Sequence, residues 1–239
     1  MNLLELNSMS KRYGALVVTD ALSMTVSSGE IVGILGPNGA GKTTLFSLIA
    51  GTVRPDVGTV QFDGHDVSAL GAADRCKRGI ARSFQVPQPF IGMSVFENAL
   101  LAATFGRDAT DPESRALSAL EQAGMKSKAN IAAGKLTLLD RKRLELARAL
   151  AANPKLLLLD EIAGGLTDSE CVSLLGAIKD VHAQGVTIVW IEHVVHALLS
   201  VAKRLVVLNF GKIIADGVPQ EIMNSREVKS IYLGEDVHG

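Results

Sequence analysis

The stretch Gly36-Pro37-Asn38-Gly39-Ala40-Gly41-Lys42-Thr43-Thr44 narrows the possible folds more than any other part of this chain. It carries G-x-x-x-x-G-K-[ST] directly after an apolar run, Ile31–Leu35, and directly before helix formers, Lys42–Ala50, that stop at Gly51. Strand, glycine-rich loop and helix in that order make a phosphate cradle. The glycines let backbone N–H groups curl toward phosphate oxygens, and the helix N-terminus adds a favourable dipole. In that frame Lys42 reaches the β- and γ-phosphates of a nucleotide, and the Thr43 hydroxyl holds Mg²⁺. Such a site needs a second half, an acidic residue at the end of a neighbouring strand. Leu156-Leu157-Leu158-Leu159-Asp160-Glu161 supplies two. Asp160 suits the magnesium shell, through a water, and Glu161 is placed to polarise an attacking water.

Around these motifs, short β-branched or leucine-rich runs alternate with helical stretches, the pattern of a parallel sheet covered by helices. Gly58–Phe62, Lys155–Asp160, Thr187–Glu192 and Arg204–Asn209 read as strands, and Ala69–Lys77 and Asp168–Ala183 as helices closed by Gly79 and Gly185. From Ser94 to Leu150 the pattern changes. No strand is predicted there, only helices such as Val95–Phe105 and Glu113–Ala123, the latter opened by Asp111 and Pro112. The expected fold class is therefore α/β, with an all-helical subdomain at about 86–150 inserted into one domain spanning 1–239. Pro87 and Pro89 mark the approach to the insertion.

Composition excludes several functions. With 47% hydrophobic and 21% charged residues the chain has too much apolar content for disorder. A net charge of -1 and 4% aromatics argue against a polybasic nucleic-acid binder or a base-stacking platform, so no nucleic-acid partner is expected. Cys76 and Cys171 lack metal-ligand spacing and suit a reducing compartment. No run approaches the ~18 apolar residues of a membrane span, and Met1–Lys11, which carries Glu5, does not read as a signal peptide.

GPNGAGKTT, then LLLLDE, then a histidine after a further strand in TIVWIEH, together resemble the nucleotide-binding subunit of an ABC transporter over essentially the whole chain. IARSFQ, the closing GKIIADGVPQEIM and the terminal IYLGE are most similar to the ATPases of branched-chain amino acid importers, although a lipid- or lipopolysaccharide-export ATPase suits the terminus nearly as well. The resemblance implies a P-loop NTPase core, a parallel sheet with an antiparallel β portion, that binds ATP and Mg²⁺. It implies that Tyr13 stacks on adenine, that Val18 touches the nucleotide, and that Gln85 reaches metal and water. His193 is implied as the switch residue at the γ-phosphate. Expected partners are transporter membrane subunits and a second ATPase subunit, identical or not, at the cytoplasmic face of the cell membrane. The lip Val86–Phe96, with Phe90, Ile91, Met93 and Phe96, reads either as a dock for a membrane-subunit helix or as subdomain core.

Against that pattern the chain departs at the signature motif. Leu136-Thr137-Leu138-Leu139-Asp140 stands where LSGGQ is usual. Thr137 keeps a hydroxyl for the nucleotide of the opposite subunit, whereas the two leucines add bulk and resist φ > 0, which leaves a regulatory nucleotide-binding module with little turnover as an alternative. Asp140 reads as a helix N-cap. Ile162 and Gly164-Gly165-Leu166-Thr167 replace the usual proline and the SALD-type loop. His193 and His196 lie three apart on a predicted helix, too few ligands for a strong metal site.

Overall fold

A computed structural model describes the backbone of residues 1–233 and the side chains of 1–230. The chain opens with a long antiparallel hairpin, β1 (Asn2–Tyr13) and β2 (Leu16–Ser27), turning at Gly14 with φ 61°. β4 (Val57–Phe62) and β5 (His65–Asp66) complete a four-stranded antiparallel sheet in the order β2-β1-β4-β5. The central strand β3 (Ile31–Leu35) belongs to a second sheet with β6 (Ile80–Arg82), β7 (Leu156–Asp160), β8 (Thr187–Ile191), β9 (Arg204–Asn209) and β10 (Lys212–Gly217). Its order is β10-β9-β3-β8-β7-β6, parallel except for the antiparallel edge β10. Every residue of β3, β7 and β8 is buried, because helices or the other sheet cover both faces, so these strands read as unbroken apolar runs.

Helix α1 (Lys42–Ala50) lies between the two sheets, where Phe46 and Leu45 join the core of the antiparallel sheet. α2 (Ala72–Arg78) begins later than predicted from Ala69, because a turn in which Leu70 N–H bonds to Val67 O takes the intervening residues. Between β6 and β7 run α3 (Val95–Phe105), α4 (Pro112–Gln122) and α5 (Leu138–Ala151), with one isolated bridge, Ser94 to Ala132, as their sole β contact among the described residues. Asp111 caps α4 at Ser114 N–H, with Pro112 in the first turn. α5 corrects one expectation: its N-cap is Thr137, whose hydroxyl accepts from Asp140 N–H, so Asp140 sits inside the first turn and not ahead of it. α6 (Asp168–Ala183), α7 (Val195–Leu199), α8 (Pro219–Asn224) and α9 (Arg226–Leu233) finish the chain. Of the terminal IYLGE, Gly234 and Glu235 lie outside the described residues.

This topology decides where chemistry can occur. The glycine-rich loop follows β3, the acidic pair closes β7, and His193 follows β8. All three lie at carboxyl ends of adjacent parallel strands, where open α/β sheets bind ligands.

Candidate functional site: a phosphate loop beneath a Glu–His–Gln cluster

Two glycines of the loop are fixed by space as well as by backbone. Gly36 has φ 156°, and a Cβ there would stand 2.4 Å from Leu208 O; Gly41 has φ 102°, and a Cβ would stand 2.6 Å from Val18 O. The loop thus hugs β9 and β2 on one side and opens on the other. Lys42 starts α1, and its Nζ donates to Gly36 O at 2.7 Å and Pro37 O at 3.0 Å, arching the ammonium back over the loop. Burial pushes its pKa down, while Glu161 and Asp160 nearby oppose that shift.

Asp160 is buried at the end of β7, and its Oδ2 accepts from Arg82 Nη2 at 2.6 Å. Glu161 follows in a left-handed conformation, φ 48°, which costs a non-glycine residue about 1–2 kcal/mol. Its N–H bonds to Ile191 O at 2.9 Å, so the turn is anchored to β8. That turn aims the carboxylate off the strand, where Gln85 Nε2 donates to one oxygen and His193 Nε2 lies 2.8 Å from the other. Gln85, Glu161 and His193 line one cleft of about 500 Å³ with Leu16, Val18 and the loop from Asn38 to Thr44. The arrangement joins a phosphate-sized cradle to a carboxylate with two polar neighbours, the parts needed to bind a phosphate chain and activate water beside it.

Most of the residues named from sequence converge here, and some do not. Gly36 and Pro37 form the wall behind Lys42. Tyr13 is half-exposed at the end of β1, outside the cleft lining, with Lys11 Nζ 5.6 Å from its ring centroid; its cross-strand partner Leu16 lines the cleft instead. Thr137 lies at the start of α5 and contributes nothing to this cleft. His193 precedes α7 while His196 is within it, so they form no pair on one helix face, and no group of three metal-ligating side chains occurs among the described residues. Oxygen donors on Thr43 and Gln85, with Asp160 behind, suit a hard cation that also takes ligands from phosphate and water. Arg82 was not singled out from sequence; its only signal was a lone cation in the run IAR.

The comparisons agree with the geometry. A family model described as ABC transporter matches residues 19–164, more than half of the chain. The chain belongs to the ABC transporter ATP-binding family. A second model, branched-chain amino acid ATP-binding cassette transporter, matches 212–238. The lipopolysaccharide export system ATP-binding protein LptB of Haemophilus influenzae is 38% identical, with 98% of each chain covered. The high-affinity branched-chain amino acid transport ATP-binding protein BraF of Pseudomonas aeruginosa is 32% identical, again with 98% of each covered. Among solved structures, the ADP conformation of MJ1267, an ATP-binding cassette of an ABC transporter, superposes with TM-score 0.89 at 29% identity, covering 98% of this chain and 100% of that one. The chain is accordingly an ATP-binding cassette and an ATPase.

Within this ABC cassette the altered signature is less strained than its sequence suggests. Leu138 and Leu139 occupy the first turn of α5, and neither has positive φ, so the expected backbone conflict does not arise. What remains is bulk: Leu138 is 49% exposed and leans toward Gly165 of the following loop. Asp140 is buried, and although burial pushes its carboxyl up, the Lys128 ammonium at 2.6 Å, the Thr137 hydroxyl and the Arg143 charge together hold the pKa below the usual range. Thr167 caps α6 in a reciprocal box with Glu170.

Arg82 gives a first expected result. Its guanidinium lies between the Phe46 and Phe84 rings, 5.7 and 5.4 Å from their centroids, and pairs with the buried Asp160. Arg82→Leu strands that carboxylate and should cost about 3–5 kcal/mol in urea unfolding. Adding Asp160→Asn should restore much of the loss; a single variant as stable as wild type would show the pair to be dispensable.

Proposed function

We propose that this chain is the ATP-hydrolysing subunit of an importer of branched-chain or related amino acids, acting at the cytoplasmic face of the membrane. The observation that carries hydrolysis is the meeting of Gln85 and His193 on the Glu161 carboxylate above the phosphate loop. Lys42 and the loop N–H groups hold the phosphate chain of ATP. Glu161 takes a proton from the attacking water, and His193 and Gln85 fix the orientation of that carboxylate. Thr43, Gln85 and Asp160 would hold Mg²⁺, which when bound neutralises phosphate charge. Tyr13 and Val18 are proposed adenine-side contacts, and Thr137 a contact to the nucleotide of a second ATPase subunit, the same chain or a different one.

The importer reading is supported by the match of residues 212–238 to a branched-chain amino acid cassette model. The 38% identity to an LptB favours a second reading, lipopolysaccharide export. Assembly with candidate membrane subunits in vesicles separates them. ATP-dependent uptake of labelled leucine supports import; ATP-dependent release of lipopolysaccharide, without uptake, supports export.

Among the described residues no helix is long and apolar enough to cross a membrane. Contact with membrane subunits therefore falls to the surface. Val86, Phe90, Ile91 and Met93 are exposed, whereas Phe96 packs on the core, so the first four are open to a partner. Glu145 and Arg148 of α5 hold the loop at Gln88, at 2.8 Å each, and the Arg148 guanidinium lies 5.2 Å from the Phe90 ring centroid. We assign this lip, with the groove beside Phe84 and Phe105, as the dock for a short membrane-subunit helix.

The signature face gives another expected result. Replacing Leu138 and Leu139 with glycine should raise ATP turnover severalfold if the leucine side chains obstruct closure over a partner's nucleotide. An unchanged rate in a phosphate-release assay would mean the closed pair already accommodates leucine.

A further inference from the structure

One buried carboxylate has no part in the chemistry above. Glu192 closes the apolar strand run at β8 and is 1% exposed. Its Oε1 accepts from Ala163 N–H at 2.7 Å, and its Oε2 accepts from His193 N–H at 3.0 Å and Val194 N–H at 3.2 Å. These three donors belong to two loops. Ala163 lies two residues after Glu161, at the start of the loop that leads to α6, and His193 and Val194 form the loop that leads into α7. Val194 is the N-cap of α7, so Glu192 fixes the backbone just ahead of that helix.

A buried carboxylate that accepts three backbone N–H groups is a strong clamp, because charge-assisted hydrogen bonds are about twice as strong as neutral ones. The charge is not isolated. Lys142 of α5 is also buried, and its Nζ donates to Glu161 O at 3.2 Å. Burial pushes the Lys142 pKa down, while Glu192 and Glu161 oppose that shift. Lys142 therefore ties the signature helix to the backbone of Glu161 and places a cation near the clamp.

We propose that Glu192 is a positioning residue for hydrolysis, locking the loop after Glu161 to the His193 loop so that His193 Nε2 meets the Glu161 carboxylate. This inference rests on the assignment of Glu161 and His193 as the hydrolytic pair. Among the described residues Lys142 bonds Glu161 O and Glu170 bonds Thr167 N–H, but only Glu192 spans both loops. With the clamp released, the imidazole and carboxylate are each free to shift, and a misplacement of about 1 Å costs about 100-fold in rate. ATP binding, by contrast, rests on the phosphate loop, which Glu192 does not touch.

The test uses the full chain assembled with its transporter partners. Glu192→Gln keeps shape and one acceptor, but turns an amide N–H₂ toward backbone donors, so one of the two loops is released. The expected result is a kcat lowered about 10–100-fold with KM for ATP within about twofold. Glu192→Asp keeps the charge but is one methylene too short to span both loops; a smaller fall in kcat is expected, and this variant gives the same readout if the glutamine form is poorly folded. The decisive arm is a cycle with His193→Ala. If Glu192 acts through the His193–Glu161 contact, adding Glu192→Gln to His193→Ala should lower kcat by clearly less than the same change does in the wild type. Wild-type kcat in both Glu192 variants would overturn the proposal, as would full additivity with His193→Ala. Failure of the wild-type assembly to hydrolyse ATP would instead remove the assignment on which the proposal rests.

Discussion

With glutamine in place of Glu161, the protein is expected to bind ATP at near wild-type affinity and hydrolyse it about 10²–10⁴-fold more slowly. The substitution is nearly isosteric and leaves the contributors to binding in place: the loop, Lys42 and Thr43 all lie on the other side of the cleft. The left-handed turn at residue 161 and its N–H bond to Ile191 O are backbone features that glutamine can keep. What it cannot do is take a proton. Its amide also faces both Gln85 Nε2 and His193 Nε2, so at least one contact changes from attraction to a donor–donor clash unless the ring tautomer adapts. Phosphate release and calorimetric ATP titration measure the two halves separately. A wild-type rate would remove Glu161 from the chemistry. Because hydrolysis no longer discharges the nucleotide, the same variant also reports on pairing by its solution mass. An ATP-dependent doubling would show that the signature with Leu138 and Leu139 closes over nucleotide. A monomer that binds ATP would require a different second ATPase.

The phosphate loop and the acidic pair were legible in the sequence because the signal of each is local, whereas Gln85 and His193 came only through the family resemblance. β3, β7 and β8 are buried on both faces, so they appear as unbroken apolar runs, and the residues after them are fixed at the strand ends. The five strands that were not read individually are the ones with other surroundings, and one of them, β5, has only two residues, both exposed. β1 and β2 are long, half-exposed and interrupted by register shifts, with Ser8 and Ala21 at positive φ, so no clean alternation survives. β6 has three residues, and β10 is an edge strand with no fully buried position. Non-local pairing hid the supporting residues. Arg82 meets Asp160 only because β6 pairs with β7, Arg82 opposite Leu158. Glu192 acquires its three donors only when the loops after β7 and β8 come together. The misplaced cap at α5 has the same origin in miniature. Thr137 and Asp140 are both good capping residues, and the choice was decided by Lys128, twelve residues earlier, which draws the Asp140 carboxylate into the protein.

Lys42→Ala is expected to weaken ATP binding by one to two orders of magnitude and reduce turnover to background. A hydrogen bond from a charged donor contributes about 1.5–3 kcal/mol, and among the described residues Lys42 supplies the only side-chain ammonium in the cleft lining. In the absence of nucleotide the change is milder, because the cost of burying the ammonium offsets much of what its bonds to the Gly36 and Pro37 carbonyls contribute. The distinction can be read from thermal unfolding. At ATP one hundred times the wild-type Kd, binding stabilises the wild type by about 2.7 kcal/mol, whereas a hundredfold weaker variant gains about 0.4 kcal/mol. The variant should thus unfold near the wild-type temperature alone and well below it with ATP. Asp160 and Glu161 sharpen the effect. Their charge is partly balanced by Lys42, and without it they repel the phosphate chain that the loop must hold. A full ATP-dependent shift in Lys42→Ala would mean that the loop N–H groups alone bind the nucleotide, and the assignment of Lys42 would fail.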